Sequence, residues 1–486
     1  MVYSKSEIWV KKQYYFCSMA KKFIPERYEN IEVVDINQKG KGVVKSDDGK
    51  VIFVSGVVPG DQICVETFKK RRGYFEAKLI EINRPSDDRA TPVCSHFGVC
   101  GGCKWQNLTY EAQLKFKQKE ITHNLTHMSG MALPEIEKII PASKNYFYRN
   151  KMEYSFSSQR WLTSDEIIDK TSEIEKRGLG FHKAGMWDKV VDIKECHLQP
   201  EPANKIRNFI KTFALKNNLE FFNPKTRSGF LRTLIIRNSN RDEFMVLLQF
   251  YKEDKTKREA LMEAILEKFD VKSLLFCINE KANDTLYDQE IFCYHGTNFI
   301  VEDMEGLKFK INAKSFFQTN TEQAYELYKI TREFAALKGS EVVYDLYTGT
   351  GTIAQFIAKD CKKVIGIESV PDAVHAAKIN AKENGIENAY FEVGDMRKVF
   401  NPEFINQYGQ ADVVITDPPR NGMHPEVIQQ LLALSPRKIV YVSCNNATQA
   451  RDLNLMKEHY RMSRTKAIDM FPQTQHVENI VLLEKI

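Results

Sequence analysis

The sequence lacks any long apolar run, any internal repeat and any low-complexity tract. No stretch approaches the ~20 consecutive apolar residues that a membrane-spanning helix needs, so we expect no membrane span. The lysines among residues 1–12 precede no apolar core, which argues against a secretory signal peptide. We therefore expect a cytoplasmic protein in a reducing compartment, where the ten cysteines would not form structural disulfides.

The sequence also has little net charge. A formal charge of +6 permits a nucleic-acid partner without demanding one, and nothing indicates an obligate protein partner. A chain of 486 residues exceeds one compact core, so we expect a multidomain protein. Residues 1–23 show little pattern and are expected to be poorly ordered. The run MAKK at 19–22 resembles a natural start, so we interpret the first 18 residues as an upstream extension.

Short strand patterns fill residues 24–83. The five candidate strands are residues 31–36, 42–44, 50–54, 62–66 and 75–80. Turn residues separate them, which predicts a small barrel of the oligonucleotide-binding kind. Between the last two strands, the run KKRRGYF at 69–75 joins basic to aromatic residues and suits phosphate contacts and base stacking. A solvated hairpin tip is the alternative.

Three closely spaced cysteines follow, in the pattern C-x5-C-x2-C. Such thiols in a reducing compartment favour a soft metal ion or an iron–sulfur cluster. The predicted ligands are Cys94, Cys100, Cys103 and, from a polar loop-like segment, Cys196. Zinc is the alternative, and His96 or His197 could then serve. Radical S-adenosylmethionine enzymes carry C-x3-C-x2-C instead, so the wider spacing argues against that class.

Residues 84–310 mix helix and strand patterns, which predicts an α+β middle domain. Helices are expected over 108–128, with Thr109 as N-cap, and over 257–269. The expected strands are residues 150–157, 231–238, 243–250, 273–279 and 308–311. Residues 148–151 are polar and basic enough to contact RNA, although a surface strand fits equally well.

A strong helical pattern begins after residues 315–320, which read SFFQTN. Thr319 and Glu322 are spaced as a capping box, and Gly339 is expected to close the helix. Gln318 then lies just before a helix N-terminus, which favours a polar ligand group.

Residues 311–486 alternate strand and helix patterns, which predicts a doubly wound parallel sheet. Parallel strands bring their carboxyl ends to one edge, where ligands bind. The polar residues at five such ends are Asp345, Glu368, Asp395, Asp417 and Cys444. After the first strand, Gly349 and Gly351 form a glycine turn, and the acid at 368 can accept hydrogen bonds from both ribose hydroxyls of a nucleotide cofactor.

Two cofactor classes fit this glycine turn. In the G-x-G-x-x-G fingerprint the sixth position is Ala354, which dinucleotide enzymes accept. The D-x-x-x-G-x-G form, with Asp345 ahead of the turn, resembles S-adenosylmethionine-dependent methyltransferases. The motifs that follow favour the methyltransferase class.

The residues around Cys444 predict a strand that stops abruptly. Residues 439–442 are β-branched or aromatic, and SCNN then ends the strand before a helical pattern resumes near Thr448. The cysteine therefore lies where a strand ends and a helix begins, at the edge that binds ligands.

Four motifs in order closely resemble the RNA 5-methyluridine methyltransferase family. They are FFQTN at 316–320, DPPRNG at 417–422, SCNNAT at 443–448 and DMFPQTQHVE at 469–478. The resemblance extends from about residue 24 to the C-terminus. The barrel resembles a TRAM domain and, with the cysteines, points to the branch that carries a [4Fe–4S] cluster and mostly modifies ribosomal RNA. The sequence departs from the family at Asn446, where Pro is common, and at Gln473, where His is common.

The resemblance implies S-adenosylmethionine-dependent methylation of uracil carbon 5 in RNA, with a Rossmann-like catalytic domain. Uracil carbon 5 is a poor nucleophile until a thiolate adds at carbon 6, and a base must later remove the carbon 5 proton. Cys444 is the implied nucleophile and Glu478 the implied base. The residues that match the family's cofactor positions are Gln318, Tyr347, Glu368 and Asp417, with Gly349, Gly351 and Asp395 as further candidates.

Several alternatives stay open at this point. Large-subunit ribosomal RNA is the favoured substrate, and the transfer-RNA T-loop is the other. RNA 5-methylcytosine enzymes typically use a second cysteine in a Pro-Cys motif, which residues 417–419 lack. A non-catalytic RNA-binding iron–sulfur protein is the remaining possibility, and the intact Cys444 and Glu478 argue against it.

Overall fold

The computed structural model describes residues 23–37, 39–163, 166–167 and 174–486. The interpretation of the first 18 residues lies outside that part of the chain. The chain divides into two compact units, one mostly before residue 88 and the other mostly after it. Among the described residues, no helix is long and apolar enough to cross a membrane.

The first unit contains a closed five-stranded barrel, which confirms the predicted architecture. Its strands are β1 (Arg27–Ile36), β2 (Gly42–Lys45), β3 (Val51–Val54), β4 (Gln62–Arg71) and β5 (Tyr74–Arg84). Alternating apolar side chains such as Val33, Ile52 and Ile63 fill the interior. Because β4 ends at Arg71 and β5 begins at Tyr74, the basic run lies at an exposed hairpin tip.

The second unit contains residues 92–106, which we call the cysteine segment, followed by helix α1 (Tyr110–Met128) and strand β6 (Glu137–Ile140). The side chain of Thr109 accepts a hydrogen bond from the Ala112 N–H, at 3.4 Å, and confirms the predicted N-cap. The four residues of β6 carry too short a pattern to have been predicted.

A seven-stranded mixed sheet forms the middle of the chain, in the order β13-β12-β11-β10-β7-β8-β9. Its strands are β7 (Lys151–Ser157), β8 (Gly178–His182), β9 (Val190–Asp192), β10 (Leu231–Asn238), β11 (Phe244–Phe250), β12 (Ser273–Ile278) and β13 (Phe292–Gly296). Helices α2 (Ala203–Lys216) and α3 (Lys255–Lys268) contribute to the same apolar core. The expected strands at 231–238 and 243–250 are confirmed as β10 and β11.

A hairpin of β14 (Phe299–Met304) and β15 (Leu307–Asn312) leads to helix α4 (Thr321–Ala335). The predicted capping box is wrong, because Asn320 is the N-cap and accepts from the Gln323 N–H at 3.3 Å. The expected end at Gly339 is also wrong. The helix ends three residues earlier, where Ala336 adopts a left-handed conformation and its N–H bonds the last carbonyls.

The C-terminal sheet has eight strands in the order β18-β17-β16-β19-β20-β22-β21-β6. Its further strands are β16 (Val342–Leu346), β17 (Lys363–Glu368), β18 (Ala389–Val393), β19 (Val413–Thr416), β20 (Lys438–Ser443), β21 (Tyr460–Ile468) and β22 (Glu478–Lys485). The alternating helices are α5 (Thr352–Ile357), α6 (Pro371–Glu383), α7 (Pro402–Tyr408), α8 (Pro425–Leu434) and α9 (Asn446–Met456).

Five neighbouring strands of this sheet, from β18 to β20, run parallel, which confirms the predicted doubly wound sheet. Strand β22 then returns antiparallel to β20, and β21 pairs with β22. Strand β6 joins β21 at the far edge, so a segment of the predicted middle domain completes the catalytic sheet. Apolar clusters cover the two faces of the sheet and leave its carboxyl edge to polar residues.

Candidate active site

Cys444 and Glu478 meet where strands β20 and β22 pair. The antiparallel register places Ser443 opposite Asn479. In an antiparallel pair, the residue after Ser443 lies opposite the residue before Asn479, so Cys444 lies beside Glu478. Opposed residues in such pairs have Cβ atoms about 5 Å apart. Glu478 is only 4% exposed. Two residues more than 30 positions apart in the sequence are thus brought together by strand register alone.

Helix α9 begins directly after the cysteine. The Asn445 side chain caps it by accepting from the N–H groups of Ala447 and Thr448, at 3.2 and 3.4 Å. Capping holds the turn between β20 and α9 in place. The thiol of Cys444 is consequently held at the carboxyl edge of the sheet, as the sequence predicted.

Acidic groups surround this thiol. Burial raises the pKa of Cys444 to about 12, and the charges of Glu478 and Asp417 add to the effect. Burial and then Asp417 raise the pKa of Glu478 well above its usual range. The pKa of Asp417 is raised to about 7 by burial and by Asp345. Arg420 opposes these effects by lowering the pKa of both Cys444 and Glu478.

The loop that carries Arg420 is fastened to helix α9. The backbone carbonyl oxygen of Arg420 accepts from the Asn445 side-chain amide at 2.9 Å and from the Thr448 hydroxyl at 3.2 Å. Further along the loop, the Met423 N–H donates to Asp452 at 2.8 Å. The backbone at Arg420 is therefore fastened to the same turn and helix that position Cys444.

The glycine turn follows β16 and contains two glycines in the left-handed conformation. A Cβ atom at Gly351 would lie 2.5 Å from the Phe391 ring, so packing and a φ of +74° both require glycine there. At Gly349, φ is +55° and a Cβ atom would meet nothing within 4 Å. The backbone at Gly349 faces open space that a ligand can occupy.

Glu368 is held at the end of β17 by backbone donors. It accepts from the N–H groups of Gly349 at 3.2 Å, Ser369 at 2.7 Å and Val370 at 3.0 Å. Beside it, Tyr347 adopts a φ of +61°, and burial raises its pKa to about 12. The structure therefore places Glu368, Tyr347 and the glycine turn together at the carboxyl edge of the sheet.

Asp395 stands apart from that group. It is exposed at the end of β18, and Arg397 binds its two carboxylate oxygens at 2.7 and 3.0 Å. The ion pair lowers its pKa to about 2. Asp395 therefore lies at the rim of the site with its charge already neutralised by a neighbour.

Gln318 is buried in the segment before α4. The carbonyl oxygen of Gln318 accepts from the Asn150 amide at 2.9 Å. In the same segment, the carbonyl of Phe316 accepts from the Thr350 hydroxyl at 3.3 Å. These bonds place the FFQTN motif beside the glycine turn, as a shared ligand would require.

Sequence reasoning missed two residues of the site. Arg420 had a signal, since it belongs to the same motif as Asp417. Tyr328 of α4 is buried, and its pKa is raised by burial and by the charges of Asp417, Asp345 and Glu478. Its position on the buried face of an amphipathic helix gave no sign that it faces the acids.

The four predicted thiol ligands lie in one region of the second unit. Burial raises the pKa of Cys103 to about 12 and of Cys100 to about 11, with added contributions from the other thiols. Cys196 is buried beside the fully buried Arg207, whose charge lowers its pKa against the larger effect of burial. In the described part of the chain, no three His, Cys, Asp or Glu side chains stand as a ready metal-ligand set.

Helix α2 holds the loop that carries Cys196. The Cys196 N–H donates to the Asn204 side chain at 2.8 Å, and Arg207 donates to the same oxygen at 2.8 Å and to the Lys194 carbonyl at 2.8 Å. The positive charge of Arg207 is thus directed toward the thiols. Thiolate ligands of a metal centre would find a fixed counter-charge there.

Comparison with known proteins agrees with this geometry. A family model described as tRNA (uracil-5-)-methyltransferase matches residues 242–486. Uncharacterized RNA methyltransferases from Porphyromonas gingivalis and Bacteroides thetaiotaomicron are each 48% identical, over 93% and 92% of this chain and 99% of each relative.

A solved structure extends the agreement to the fold. The Pyrococcus abyssi tRNA (uracil-54, C5)-methyltransferase, in complex with S-adenosyl-L-homocysteine, superposes with a TM-score of 0.73 at 29% identity. The match covers 94% of this chain and 100% of that one. The chain therefore belongs to the tRNA (uracil-5-)-methyltransferase family and is an S-adenosylmethionine-dependent RNA (uracil-5-)-methyltransferase.

Proposed function

We propose that this enzyme methylates carbon 5 of one uridine in ribosomal RNA through a covalent bond between Cys444 and carbon 6. The observation that carries the mechanism is the register that brings Cys444 beside Glu478. Nucleophile and base are then fixed by the same pair of strands, with Asp417 and Arg420 close enough to change their pKa values.

The reaction begins with Cys444 as the thiolate, its proton having passed to water. Arg420 favours that charge, because it lowers the thiol pKa against the effect of burial. The sulfur adds to carbon 6, and the electron pair of the 5,6 double bond moves into an enolate. Carbon 5 thereby becomes nucleophilic enough to accept a methyl group.

Bound S-adenosylmethionine supplies that methyl group as a sulfonium. Glu368 offers its carboxylate to the ribose hydroxyls, and the backbone at Gly349 leaves room beside it. Gln318, Tyr347 and Asp417 complete the proposed binding residues, with Gly351 shaping the turn and Asp395 at the rim.

Glu478 then takes the proton from carbon 5. The electrons of that C–H bond re-form the 5,6 double bond and expel the Cys444 thiolate. Glu478 then releases its proton to water, which returns the enzyme to its starting charge. Burial suits this role, because a desolvated carboxylate is a stronger base than one in water.

The cysteine segment is proposed to hold a [4Fe–4S] cluster through Cys94, Cys100, Cys103 and Cys196. Two observations support this ligand set: beyond the effect of burial, the charges of Cys196, Cys100 and Cys94 raise the pKa of Cys103, and the buried Arg207 lies beside Cys196. A bound cluster would cross-link the two segments that carry these cysteines. Methyl transfer needs no electrons from it, so we assign the cluster a structural role.

The choice of ribosomal RNA rests on the set of modules. The barrel presents an exposed basic hairpin tip at Lys69–Gly73, which we propose as an RNA contact of a TRAM-like domain. Transfer RNA is the second candidate, because the Pyrococcus abyssi structure with TM-score 0.73 is described as a tRNA (uracil-54, C5)-methyltransferase.

The substrate is tested by mapping 5-methyluridine in ribosomal and transfer RNA from cells with and without the gene. We expect one ribosomal position to lose its methyl group when the gene is deleted and to regain it with the wild-type gene. Loss confined to the transfer-RNA T-loop would keep the chemistry and overturn the ribosomal assignment.

The covalent step is tested with the same RNA carrying 5-fluorouridine at the target. After methyl transfer, fluorine at carbon 5 cannot leave as a proton does, so the adduct persists. We expect a protein–RNA complex that survives denaturation and whose peptide map places the bond at Cys444. An adduct at another residue, or none with active enzyme, would contradict the proposed nucleophile.

A further inference from the structure

Helix α1 bonds both catalytic segments through buried polar side chains. It packs against α9, the helix that follows Cys444, and one end of it also contacts the loop that precedes Glu478. We define that loop, residues 469–477, as the base loop. One helix outside the reaction centre therefore touches the segments that carry both proposed reacting groups.

The strongest contact to the base loop is an ion pair. The ammonium of Lys117 lies 2.5 Å from a carboxylate oxygen of Asp469, and both side chains are 0% exposed. Lys117 also donates to the Phe471 carbonyl at 3.1 Å. An ion pair without solvent depends on close geometry, so it fixes the start of the base loop relative to α1.

A second contact joins two amides. The Gln113 side chain donates to the Gln473 side chain at 3.1 Å and accepts from the Gln473 N–H at 2.9 Å. The same Gln113 amide donates to the carbonyls of Trp105 and Leu108, at 3.0 and 3.1 Å. Gln113 and Gln473 are both buried, so water does not compete for these hydrogen bonds.

The cysteine segment reaches the same point of the base loop. The N–H groups of Lys104 and Trp105, directly after Cys103, both donate to the Gln473 carbonyl at 3.0 Å. Helix α4 holds only the start of the loop, through Asn320 to the Met470 carbonyl at 3.0 Å. The middle of the base loop is thus held by α1, by the cysteine segment and by Tyr148, whose hydroxyl donates to the Pro472 carbonyl at 2.9 Å.

The contact to the nucleophile is separate. The Asn124 amide, further along α1, donates to the Asn446 side chain at 2.6 Å, and both are buried. Asn446 is the first residue of α9 and lies two residues after Cys444. Asn446 and Gln473, the two positions where the sequence departs from the family pattern, each bond a side-chain amide of α1.

We propose that α1 positions the two reacting groups independently, Gln113 and Lys117 acting on Glu478 through the base loop and Asn124 acting on Cys444 through α9. The inference rests on the proposed covalent mechanism and adds positioning residues to it. Each contact then affects a different step: the base contact affects release of the methylated adduct, and the nucleophile contact affects its formation.

The test compares Gln113→Leu with Asn124→Leu, a matched pair that removes one amide from the same helix. Single-turnover reactions with target RNA and S-adenosylmethionine measure the rates at which the denaturation-resistant adduct forms and is released. Glu478→Gln is the reference for lost base function. Affinity for S-adenosylmethionine, measured by calorimetry, checks folding. The hydrogen bonds that hold Glu368 come from Gly349, Ser369 and Val370, and these residues lie outside α1.

For Gln113→Leu we expect release to slow about 10- to 100-fold, because small misplacements of a catalytic group have effects of that size. Adduct formation should change less than about threefold, so methylated adduct accumulates, as with Glu478→Gln. For Asn124→Leu we expect formation to slow about tenfold without accumulation. If Gln113→Leu fails to fold, Gln473→Leu removes the same contact from the loop side and must give the same accumulation.

Equal slowing of both steps in both variants would overturn the inference, because a helix that only stabilises the fold cannot separate the steps. Failure of the proposed function looks different. In that case Glu478→Gln itself accumulates no adduct, or wild-type enzyme forms none at all, whatever the α1 variants do.

Discussion

The two halves of the catalytic edge hold their acidic groups in opposite ways. On the cofactor side, three backbone N–H groups bond Glu368, and Arg397 lowers the pKa of Asp395 to about 2. On the nucleophile side, burial raises the pKa of Asp417 to about 7 and that of Cys444 to about 12. The pKa of Glu478 is raised as well.

This difference matches two kinds of work. A carboxylate fixed by donors keeps its position and charge, which suits recognition of hydroxyl groups. Burial instead shifts a carboxyl toward a pKa near neutral pH, as at Asp417, and such an environment suits proton transfer. Strand register creates the contrast, since it places the thiol and two acids in one water-poor corner of the sheet edge.

The largest expected effect comes from removing the thiol of Cys444, the proposed nucleophile. We expect Cys444→Ser to lower the rate of RNA methylation by about 10³-fold or more, since a hydroxyl is a far weaker nucleophile at neutral pH. Affinity for S-adenosylmethionine should stay within about twofold, because the cofactor half is untouched. Methyl transfer from labelled cofactor and calorimetry measure the two quantities.

The matched control for that variant is Cys293→Ser. Cys293 is an exposed thiol on β13, away from the catalytic sheet, and we expect full activity from its serine variant. Equal loss in both variants would point to a general effect of thiol replacement. Full activity of Cys444→Ser would disprove the covalent mechanism.

The next effect compares the two acids of the cofactor half. We expect Glu368→Gln to weaken S-adenosylmethionine binding about 10- to 100-fold, the loss expected for charge-assisted hydrogen bonds. Asp395→Asn should weaken it less than about fivefold, because Arg397 already neutralises that carboxylate. Calorimetry on the two variants measures both constants, and a larger loss for Asp395→Asn would reverse their assigned importance.

Much of this edge could be predicted from the sequence, because parallel strands place their carboxyl ends together. The acids at 345, 368 and 417 and the cysteine at 444 each follow an apolar strand pattern, and a doubly wound sheet has only one place for them. Local pattern and chain topology together were therefore enough to locate most of the site.

The remaining features depend on contacts between distant segments. Gln113 and Gln473 are 360 positions apart, and neither residue type nor local pattern indicates their pairing. Strand β6 is too short to stand out, yet β21 recruits it to the sheet. At the start of α4, Thr319 and Asn320 are both good caps, and Asn320 takes the role because its side chain also bonds the Met470 carbonyl.

A smaller effect concerns the charge that balances the nucleophile half. Arg420 lowers the pKa of Glu478 and of Cys444, so Arg420→Gln raises both. In the proposed mechanism both groups react in their deprotonated forms, and the acidic limb of the pH–rate profile should therefore move to higher pH. We expect a loss of roughly three- to tenfold near neutral pH that recovers at alkaline pH.

The control for this shift is Arg461→Gln, which removes a positive charge from an exposed ion pair with Glu484 on the outer strands. Its rate profile should keep the wild-type midpoint, since exposed charges far from the site are screened. If the midpoint shifted equally in both variants, the effect would come from overall charge and Arg420 would have no specific role.

The smallest effect is on stability and separates the two kinds of acid directly. Burial raises the pKa of Asp345 from its ordinary value of 3.8 to about 7, so between these values the folded protein holds a proton there that the unfolded chain releases. The stabilisation from this proton is complete below about pH 4 and is lost as the pH rises to about 7. Asp345→Asn removes the buried charge and still offers an acceptor to the Thr348 hydroxyl. Relative to wild type, its melting temperature should therefore be higher near pH 8 than near pH 5, by about 2–6 °C in calorimetry without cofactor.

In the same experiment, Asp395→Asn should change the melting temperature equally at both pH values. The lowered pKa of Asp395 gives a stabilisation that is present above about pH 4 and is lost only as the pH falls toward 2. Its loss should therefore be small and equal near pH 5 and pH 8, because both lie above that window. If Asp345→Asn followed this flat pattern, Asp345 would be charged in the folded protein at both values. Only Asp417 and Glu478 would then have raised pKa values among the acids of this edge. The environment suited to proton transfer would be confined to the immediate surroundings of Cys444.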